Sequence, residues 1–199
     1  MLIYVITDRR SRPDLQPEAL IDAIVASGAD MIQIREKDLA GGATLALARR
    51  AVQAGGAQVY VNGLVDVALA SGAAGVHLPA DGVGPDEVKR TWPGRLRVGV
   101  SAHTFAQARS AAERGADFIA FGPVFDTPSK RGFGAPVGPQ ALETVARGVE
   151  VPVFAIGGID AARMKIIARL PIAGVAVIAA VVGDSDMKGA VSRLREAAL

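Results

Sequence analysis

Short apolar runs alternate with longer, Ala-rich segments from one end of the chain to the other. Each run is four or five residues long and rich in Val, Ile or Phe, which is typical of parallel strands buried on both faces. The runs cover residues 2–6, 31–34, 58–61, 75–78, 96–100, 118–121, 153–156 and 174–178. The segments between them space apolar residues three and four positions apart, as helices do. Eight strands, each followed by a helix, predict a (β/α)8 TIM barrel, with a doubly wound open sheet as the alternative.

A Gly-Ala pair recurs ahead of three of these strands. It begins at Gly28, Gly72 and Gly115, at separations of 44 and 43 residues, which would be two strand–helix units each. Glycine suits this place because a helix often ends in a left-handed residue before the chain turns into a strand. The regular spacing favours the barrel. Because no change of composition marks a linker, we expect residues 1–199 to form a single domain.

The composition excludes several classes of protein. The 199 residues include 22 Lys and Arg against 20 Asp and Glu, half are hydrophobic, and none is Cys. This balance argues against disorder, and the lack of Cys excludes disulfides, thiolate metal sites and cysteine nucleophiles. Basic runs are short, and no apolar run reaches the ~18 residues of a membrane helix, so we expect neither nucleic acid nor a membrane as partner. With no basic segment before the first apolar run, we expect no secretory signal and a cytoplasmic protein.

Polar residues cluster where the second predicted strand ends. Strand alternation sends Gln33, Arg35 and Lys37 to one side and Ile34 and Glu36 to the other. An amide and two cations on one side suit an anionic or phosphorylated ligand. A solvated charged loop is the alternative interpretation. The strand-end position gives the binding site equal weight, because active sites of barrels lie there.

Both histidines of the chain lie at predicted strand ends. His77 follows Val76 within an apolar run, and we expect a structural, hydrogen-bonded side chain there. His103 comes just past its strand, beside Ser101, and the unperturbed pKa of imidazole suits proton transfer near neutral pH. We therefore predict that His103 is the acid–base group, with a simple ligand contact as the alternative.

Two further segments predict ligand binding. The loop at 122–134 combines hydroxyls, cations and glycines, and we expect a lid or binding loop rather than plain disorder. Gly157 and Gly158 follow the seventh strand, and a second turn of small residues follows the eighth, where barrels commonly bind phosphate. The strand-end carboxylates are scattered along the sequence and form no close pair, so no metal site is predicted.

Five segments, taken together, resemble the thiamine phosphate synthase family. They are Tyr-Val-Ile-Thr-Asp at 4–8, Gln-Ile-Arg-Glu-Lys at 33–37, Gly-Val-Ser-Ala-His-Thr at 99–104, Phe-Gly-Pro-Val-Phe-Asp-Thr-Pro-Ser-Lys at 121–130 and Ala-Ile-Gly-Gly-Ile at 155–159. The resemblance implies a barrel with one of two activities. A synthase joins a hydroxymethylpyrimidine diphosphate to a thiazole phosphate and releases pyrophosphate with magnesium. A thiazole tautomerase aromatises a thiazole carboxylate phosphate by moving a proton.

The chain departs from the synthase pattern at both magnesium positions. Synthases carry an Asp directly after Asn62, where this chain has Gly63, and the second metal position is Gly82. Without the ion, a diphosphate leaving group loses the charge that stabilises its departure. The segments around Asn62 and His77 resemble the tautomerase branch instead. We therefore expect a thiazole tautomerase, an isomerase, with the synthase as the alternative and a non-catalytic phosphate-binding protein or regulator as a second alternative.

The resemblance also implies roles for individual residues. His103 would transfer the proton in a tautomerase, and Lys130 would reach the thiazole phosphate from the loop after the sixth strand. The phosphate-binding residues would be Gly157, Gly158, Ile178 and Ala179. The substrate-binding residues would be Gln33, Arg35, Lys37, Asn62, Ser101, Thr127 and Lys130.

The tautomerase interpretation carries its own expectations about ligands. It needs no cofactor, and Mg²⁺ enters only with the synthase. The expected partner is a small-molecule thiazole phosphate. The oligomeric state is left open, a homo-oligomer included.

Overall fold

The computed structural model describes residues 1–127 and 135–199. Within these residues the strands are β1 (Leu2–Ile6), β2 (Met31–Ile34), β3 (Gln58–Asn62), β4 (Gly75–Leu78), β5 (Arg97–Ala102), β6 (Phe118–Phe121), β7 (Val153–Ile156) and β8 (Gly174–Val177). The helices are α1 (Pro17–Ala26), α2 (Gly41–Ala54), α3 (Val65–Ser71), α4 (Pro85–Thr91), α5 (Phe105–Glu113), α6 (Gly138–Gly148), α7 (Ala161–Ile167), α8 (Ala179–Val182) and α9 (Met187–Glu196). A 3₁₀ turn at Arg9–Ser11 precedes α1. None of the helices in this part of the chain has both the length and the hydrophobicity needed to span a membrane.

The strands close into a barrel. Each strand pairs in parallel with the next one along the chain, and β8 returns to pair with β1, placing Leu2 opposite Gly174 and Val5 opposite Val177. A doubly wound sheet is open and has two edge strands, whereas here every strand is paired on both sides, so that alternative is wrong. The predicted (β/α)8 barrel is confirmed.

Three strands differ from their apolar runs at the ends. β3 continues to Asn62, and β8 ends at Val177 rather than at residue 178. β5 begins at Arg97 and continues to Ala102, because Ser101 and Ala102 pair with the neighbouring β6. Backbone pairing, rather than side-chain hydrophobicity, therefore places Asn62 and Ser101 inside the sheet.

The three predicted helix-ending glycines are left-handed, with φ of +81° at Gly28, +72° at Gly72 and +91° at Gly115. At Gly72 the backbone N–H closes α3 on the carbonyl of Leu69, and the chain then turns into β4. A side chain would strain this conformation, which is why glycine recurs there.

The lower part of the barrel interior is filled by aromatic rings. Tyr4, Tyr60, Phe118 and Phe154 come from four strands, and their ring centroids lie 5.2 to 5.9 Å apart in edge-to-face contacts. This packing is favourable for the quadrupoles of the rings. We call these four side chains the aromatic layer.

Glycines on the neighbouring strands make room for these rings. A Cβ on Gly99 would lie 2.2 Å from the Phe118 ring, and one on Gly75 would lie 2.6 Å from the Tyr60 ring. The large and small residues therefore fill the interior jointly, at the density of a packed core. A second apolar core, larger than the aromatic layer, fills the space between the sheet and the helices.

Candidate active site

The carboxyl ends of all eight parallel strands open at one end of the barrel, which we call the mouth. Gln33 on β2, Asn62 on β3 and Ser101 on β5 lie on the inward face of their strands near this end. Asn62 and Ser101 are half-buried, whereas Gln33 is 2% exposed. The structure thus brings together three of the predicted substrate-binding residues from three separate strands.

A chain of buried hydrogen bonds connects two of these residues. The Gln33 amide donates to the Tyr4 hydroxyl oxygen over 2.9 Å, and the Tyr4 hydroxyl lies 3.4 Å from Nδ1 of His77. Nε2 of His77 lies 3.0 Å from Oγ of Ser101. The prediction of a hydrogen-bonded His77 is confirmed. Tyr4 was not predicted as a site residue, although it stands in the first apolar run and in the first family segment.

Burial fixes the charge states of His77 and Tyr4 in this chain of hydrogen bonds. His77 is 2% exposed, and its desolvation, together with the nearby positive charge of Arg35, lowers its pKa to about 3. Desolvation also raises the pKa of the Tyr4 hydroxyl well above its usual value. Both groups are therefore neutral at physiological pH, and they act as hydrogen-bonding groups rather than as ions.

The residues after β2 divide between two environments, as alternation predicts. Glu36 is 9% exposed and accepts hydrogen bonds from the backbone N–H of Arg9, which ties the β1 loop to the β2 loop. Burial raises the pKa of Glu36. Arg35 is half-buried, and its backbone N–H donates to Thr7 over 2.9 Å. Its positive charge adds to the effect of burial in lowering the pKa of His77.

Arg35 and Lys37 are available for a ligand. Across residues 1–127 and 135–199, no carboxylate oxygen pairs with either side chain. Lys37 is exposed, and the structure does not bring it into contact with the buried chain. Unpaired cations at a barrel mouth favour binding of an anion.

His103 lies at the rim of the mouth, where it is exposed. Its Nδ1 lies 2.5 Å from the backbone carbonyl of Gly122, and its backbone N–H donates to the Gln107 side chain over 2.8 Å. Gln107 also completes a capping box with Thr104 at the start of α5. Since a carbonyl only accepts, Nδ1 carries the proton, and Nε2 of a neutral ring remains free to accept a hydrogen bond.

The glycine pair after β7 is packed against the loop after β6. Gly157 and Gly158 have φ of +101° and +64°, and a Cβ on Gly158 would lie 2.5 Å from the carbonyl oxygen of Asp126. Phe125 donates its N–H to the Gly157 carbonyl over 3.1 Å. Both glycines are therefore required by the backbone conformation and by the space available.

Arg163, which sequence reasoning missed, links these two loops. One guanidinium nitrogen donates to the carbonyls of Gly158, at 2.6 Å, and Asp126, at 3.2 Å. The guanidinium carbon lies 5.4 Å from the centre of the Phe125 ring. An arginine five residues after a glycine pair gives no sequence signal of this role, because its partners are backbone carbonyls.

Three further predicted residues are among those that the structure describes, and they follow β8 and β6. Ile178 and Ala179 follow β8 directly, and Ala179 begins the short helix α8. Both residues lie beside the glycine turn. Their role in phosphate binding stays a prediction. Thr127 is half-buried and ends the first described segment. Lys130 and most of the predicted lid lie outside the described residues.

The residues at the family's magnesium positions do not fit that ion. Gly63 and Gly82 offer no side-chain oxygen, and Asp81, beside the second position, is exposed. Within residues 1–127 and 135–199, no group of three or more His, Asp or Glu side chains lies close enough to hold a metal. Residues 128–134 contain no such side chain in the sequence.

The chain is similar to known proteins of one family. The family described as thiamine monophosphate synthase matches residues 3–181. A thiamine-phosphate synthase of Roseiflexus castenholzii is 40% identical over 99% of this chain and 88% of its own length. The thiamine-phosphate synthase of Methanoculleus marisnigri is 39% identical over 98% of this chain and 93% of its own.

A solved structure has the same barrel. Thiamine phosphate pyrophosphorylase from Pyrococcus furiosus superposes with a TM-score of 0.88 and 31% identity, covering 99% of this chain and 95% of that one. These relatives carry the name of the synthase, so the expectation of a thiazole tautomerase, an isomerase, is wrong. It gave two missing carboxylates more weight than the set of polar residues that the barrel gathers at its mouth. On nearly full-length similarity, in sequence and in structure, this chain belongs to the thiamine monophosphate synthase family.

Proposed function

We propose that this chain is a thiamine-phosphate synthase, a transferase that joins hydroxymethylpyrimidine diphosphate to thiazole phosphate. The observation that carries the proposal is the 40% identity to a protein of that name over 99% of the chain. The convergence of Gln33 and Asn62 at the mouth supports it, because the resemblance to the family matches both residues to its pyrimidine diphosphate contacts. Two small molecules are its partners.

The reaction makes one bond and breaks one. The thiazole nitrogen forms a bond to the methylene carbon of the pyrimidine, while the bond from that carbon to the diphosphate oxygen breaks. The electron pair of the broken bond leaves with pyrophosphate. The work of the protein is then to align the two substrates and to stabilise the negative charge that grows on the leaving group.

Two regions of the mouth divide this work. Arg35, Lys37 and the Ser101 hydroxyl face the diphosphate, where their positive charge and hydrogen bonding favour its departure. Backbone N–H groups at Gly157 and Gly158 hold the thiazole phosphate, together with those at Ile178 and Ala179. Thr127 contacts substrate from the loop after β6. His103 has no proton to transfer in this reaction, and its bond to Gly122 gives it the task of holding the start of that loop.

The direct test is to supply both substrates to the purified chain and to measure thiamine phosphate and pyrophosphate together. We expect the two products in equal amounts, and a titration with Mg²⁺ then measures how far the reaction depends on the ion. Arg35→Gln is expected to lower kcat/KM by at least about tenfold. Arg109→Gln is the matched control, because Arg109 lies on α5, is 65% exposed and pairs with Glu113.

One outcome would overturn the proposal, and a second would overturn the role given to Arg35. Absence of product with either substrate bound would identify a non-catalytic phosphate-binding protein. Equal losses in Arg35→Gln and Arg109→Gln would show that the cation at the mouth has no special part in the reaction.

A further inference from the structure

The buried hydrogen bonds from Gln33 to Ser101 have a direction. Gln33 donates to the Tyr4 oxygen, which leaves the single Tyr4 proton to be donated elsewhere. Nδ1 of His77 is the acceptor that faces this hydroxyl, at 3.4 Å. A neutral imidazole has one donor and one acceptor, so a ring that accepts at Nδ1 donates at Nε2. Its partner at Nε2 is Oγ of Ser101, at 3.0 Å.

The direction of the chain decides what Ser101 can do. A hydroxyl that accepts from His77 keeps its own proton for another partner. Ser101 is half-buried and stands at the open end of the chain, whereas Tyr4 and His77 are 0% and 2% exposed. The positive charge of Arg35 lies near enough to His77, the neighbour of Ser101, to lower its pKa. An acceptor with negative charge is therefore the ligand atom that this end of the chain suits.

We infer that His77 is a positioning residue, which holds the Ser101 hydroxyl so that its O–H points into the mouth as a donor to a phosphate oxygen of the pyrimidine diphosphate. The inference rests on the proposed function for the identity of that substrate. His77 itself touches no substrate, since the hydroxyl lies between it and the mouth.

A purely structural role for His77 would not require a histidine at this position. The ring packs 5.6 Å from that of Phe118 and 5.9 Å from that of Tyr4, and an apolar side chain would satisfy this packing alone. Burying an imidazole costs free energy unless both nitrogens find partners. Here one partner is the Ser101 hydroxyl at the substrate end. A side chain that only fills the barrel interior would not need this partner.

A double-mutant cycle separates the two roles. His77→Leu removes both hydrogen bonds, and Ser101→Ala removes the hydroxyl through which His77 acts. We expect His77→Leu alone to raise KM for the pyrimidine diphosphate about tenfold, with a smaller change in kcat. In the Ser101→Ala background, the same substitution should change KM by less than about twofold. Equal effects in both backgrounds would overturn the inference.

Two further variants keep the test decisive if His77→Leu fails to fold. His77→Gln places an amide N–H near the position of Nε2, and it should restore KM to within about threefold of the unsubstituted chain. Tyr4→Phe removes only the hydroxyl that directs the ring, and its effect on KM should also vanish in the Ser101→Ala background. Ser71→Ala is the matched control for loss of a buried serine hydroxyl, because Ser71 bonds to Ala68 on α3.

Binding of inorganic pyrophosphate, followed by calorimetry, distinguishes this inference from the proposed function. Coupling between His77 and Ser101 in pyrophosphate affinity, without product formation by the unsubstituted chain, would refute the synthase and retain the positioning role. Product formation with independent effects of the two residues would retain the synthase and refute the positioning role.

Discussion

The barrel interior contains two successive sets of side chains that differ in kind. The aromatic layer consists of rings in edge-to-face contact, with glycines of the neighbouring strands beside them. Nearer the mouth lies a polar layer, formed by Gln33, His77 and Ser101, in which hydrogen bonds replace apolar contacts. Tyr4 belongs to both, because its ring packs with the aromatic layer and its hydroxyl bonds to the polar one.

The difference shows how one barrel separates stability from binding. Rings packed against glycines bury apolar area and leave no room for a ligand, so the aromatic layer stabilises the fold. Polar groups packed in a protein interior add little net stability, because they exchange water for protein partners. Their hydrogen bonds instead orient donors and acceptors. The polar layer ends in the half-buried Ser101 at the mouth, where a ligand can be bound.

Truncating a ring should have the largest effect on stability. Phe118→Ala removes a side chain that is 1% exposed and contacts three other rings and His77, and we expect it to lower the free energy of unfolding by about 3–5 kcal/mol. Phe105→Ala, at a phenylalanine that is 39% exposed, is the control and should cost much less. Urea unfolding measures both, and similar losses would contradict a special role for the aromatic layer.

Adding a single carbon should also destabilise this layer. In Gly99→Ala the new Cβ would lie 2.2 Å from the Phe118 ring, and we expect a loss of up to about 3 kcal/mol in unfolding free energy. The same change at Gly42, in α2, meets no atom within 4 Å and should be neutral or stabilising. Thermal unfolding of the two variants checks the opposite signs. A stable Gly99→Ala protein would mean that the rings can shift.

The polar layer should make stability depend on pH. The pKa of His77 falls from 6.5 to about 3 on folding, so the unfolded chain binds the proton more readily. The contribution of His77 is complete above pH 6.5 and is lost as the pH falls towards 3, by about 2 kcal/mol between pH 7 and pH 5. Glu36, whose pKa is raised, acts in the opposite direction. Unfolding curves of His77→Gln should lack this fall, and an identical pH profile would refute the assignment.

The smallest effects come from two tyrosines that bear the same substitution. Tyr4 and Tyr60 are both 0% exposed and both belong to the aromatic layer. Among the described residues, the Tyr60 hydroxyl bonds only to Gln58, so Tyr60→Phe should change stability by about 1 kcal/mol or less and leave KM unaltered. Tyr4→Phe should cost more stability, because it leaves the buried Gln33 amide and Nδ1 of His77 without a partner, and it should also raise KM for the pyrimidine diphosphate. Equal KM values for the two variants would contradict the separate role given to the polar layer.

Much of the fold could be predicted from local patterns. Apolar runs located the strands because a strand buried on both faces needs apolar side chains at every position. The glycines at 28, 72 and 115 marked helix ends because few other residues adopt a left-handed conformation. Gln33, Asn62 and Ser101 could be placed at the mouth, since strand ends of a barrel converge there. The family could be recognised from short segments, although the choice between its two activities was wrong.

The tertiary structure decided which of these side chains meet. Tyr4 and His77 are 73 residues apart in the chain, and closure of the barrel brings them together. Arg163 lies 37 residues from Asp126 and acts on backbone carbonyls, which no residue type announces. Sequence patterns indicate the conformation and burial of a residue and its near neighbours along the chain. A hydrogen-bonded chain across a barrel depends instead on strand register and on the space that distant glycines leave, and these exist only once the sheet has closed.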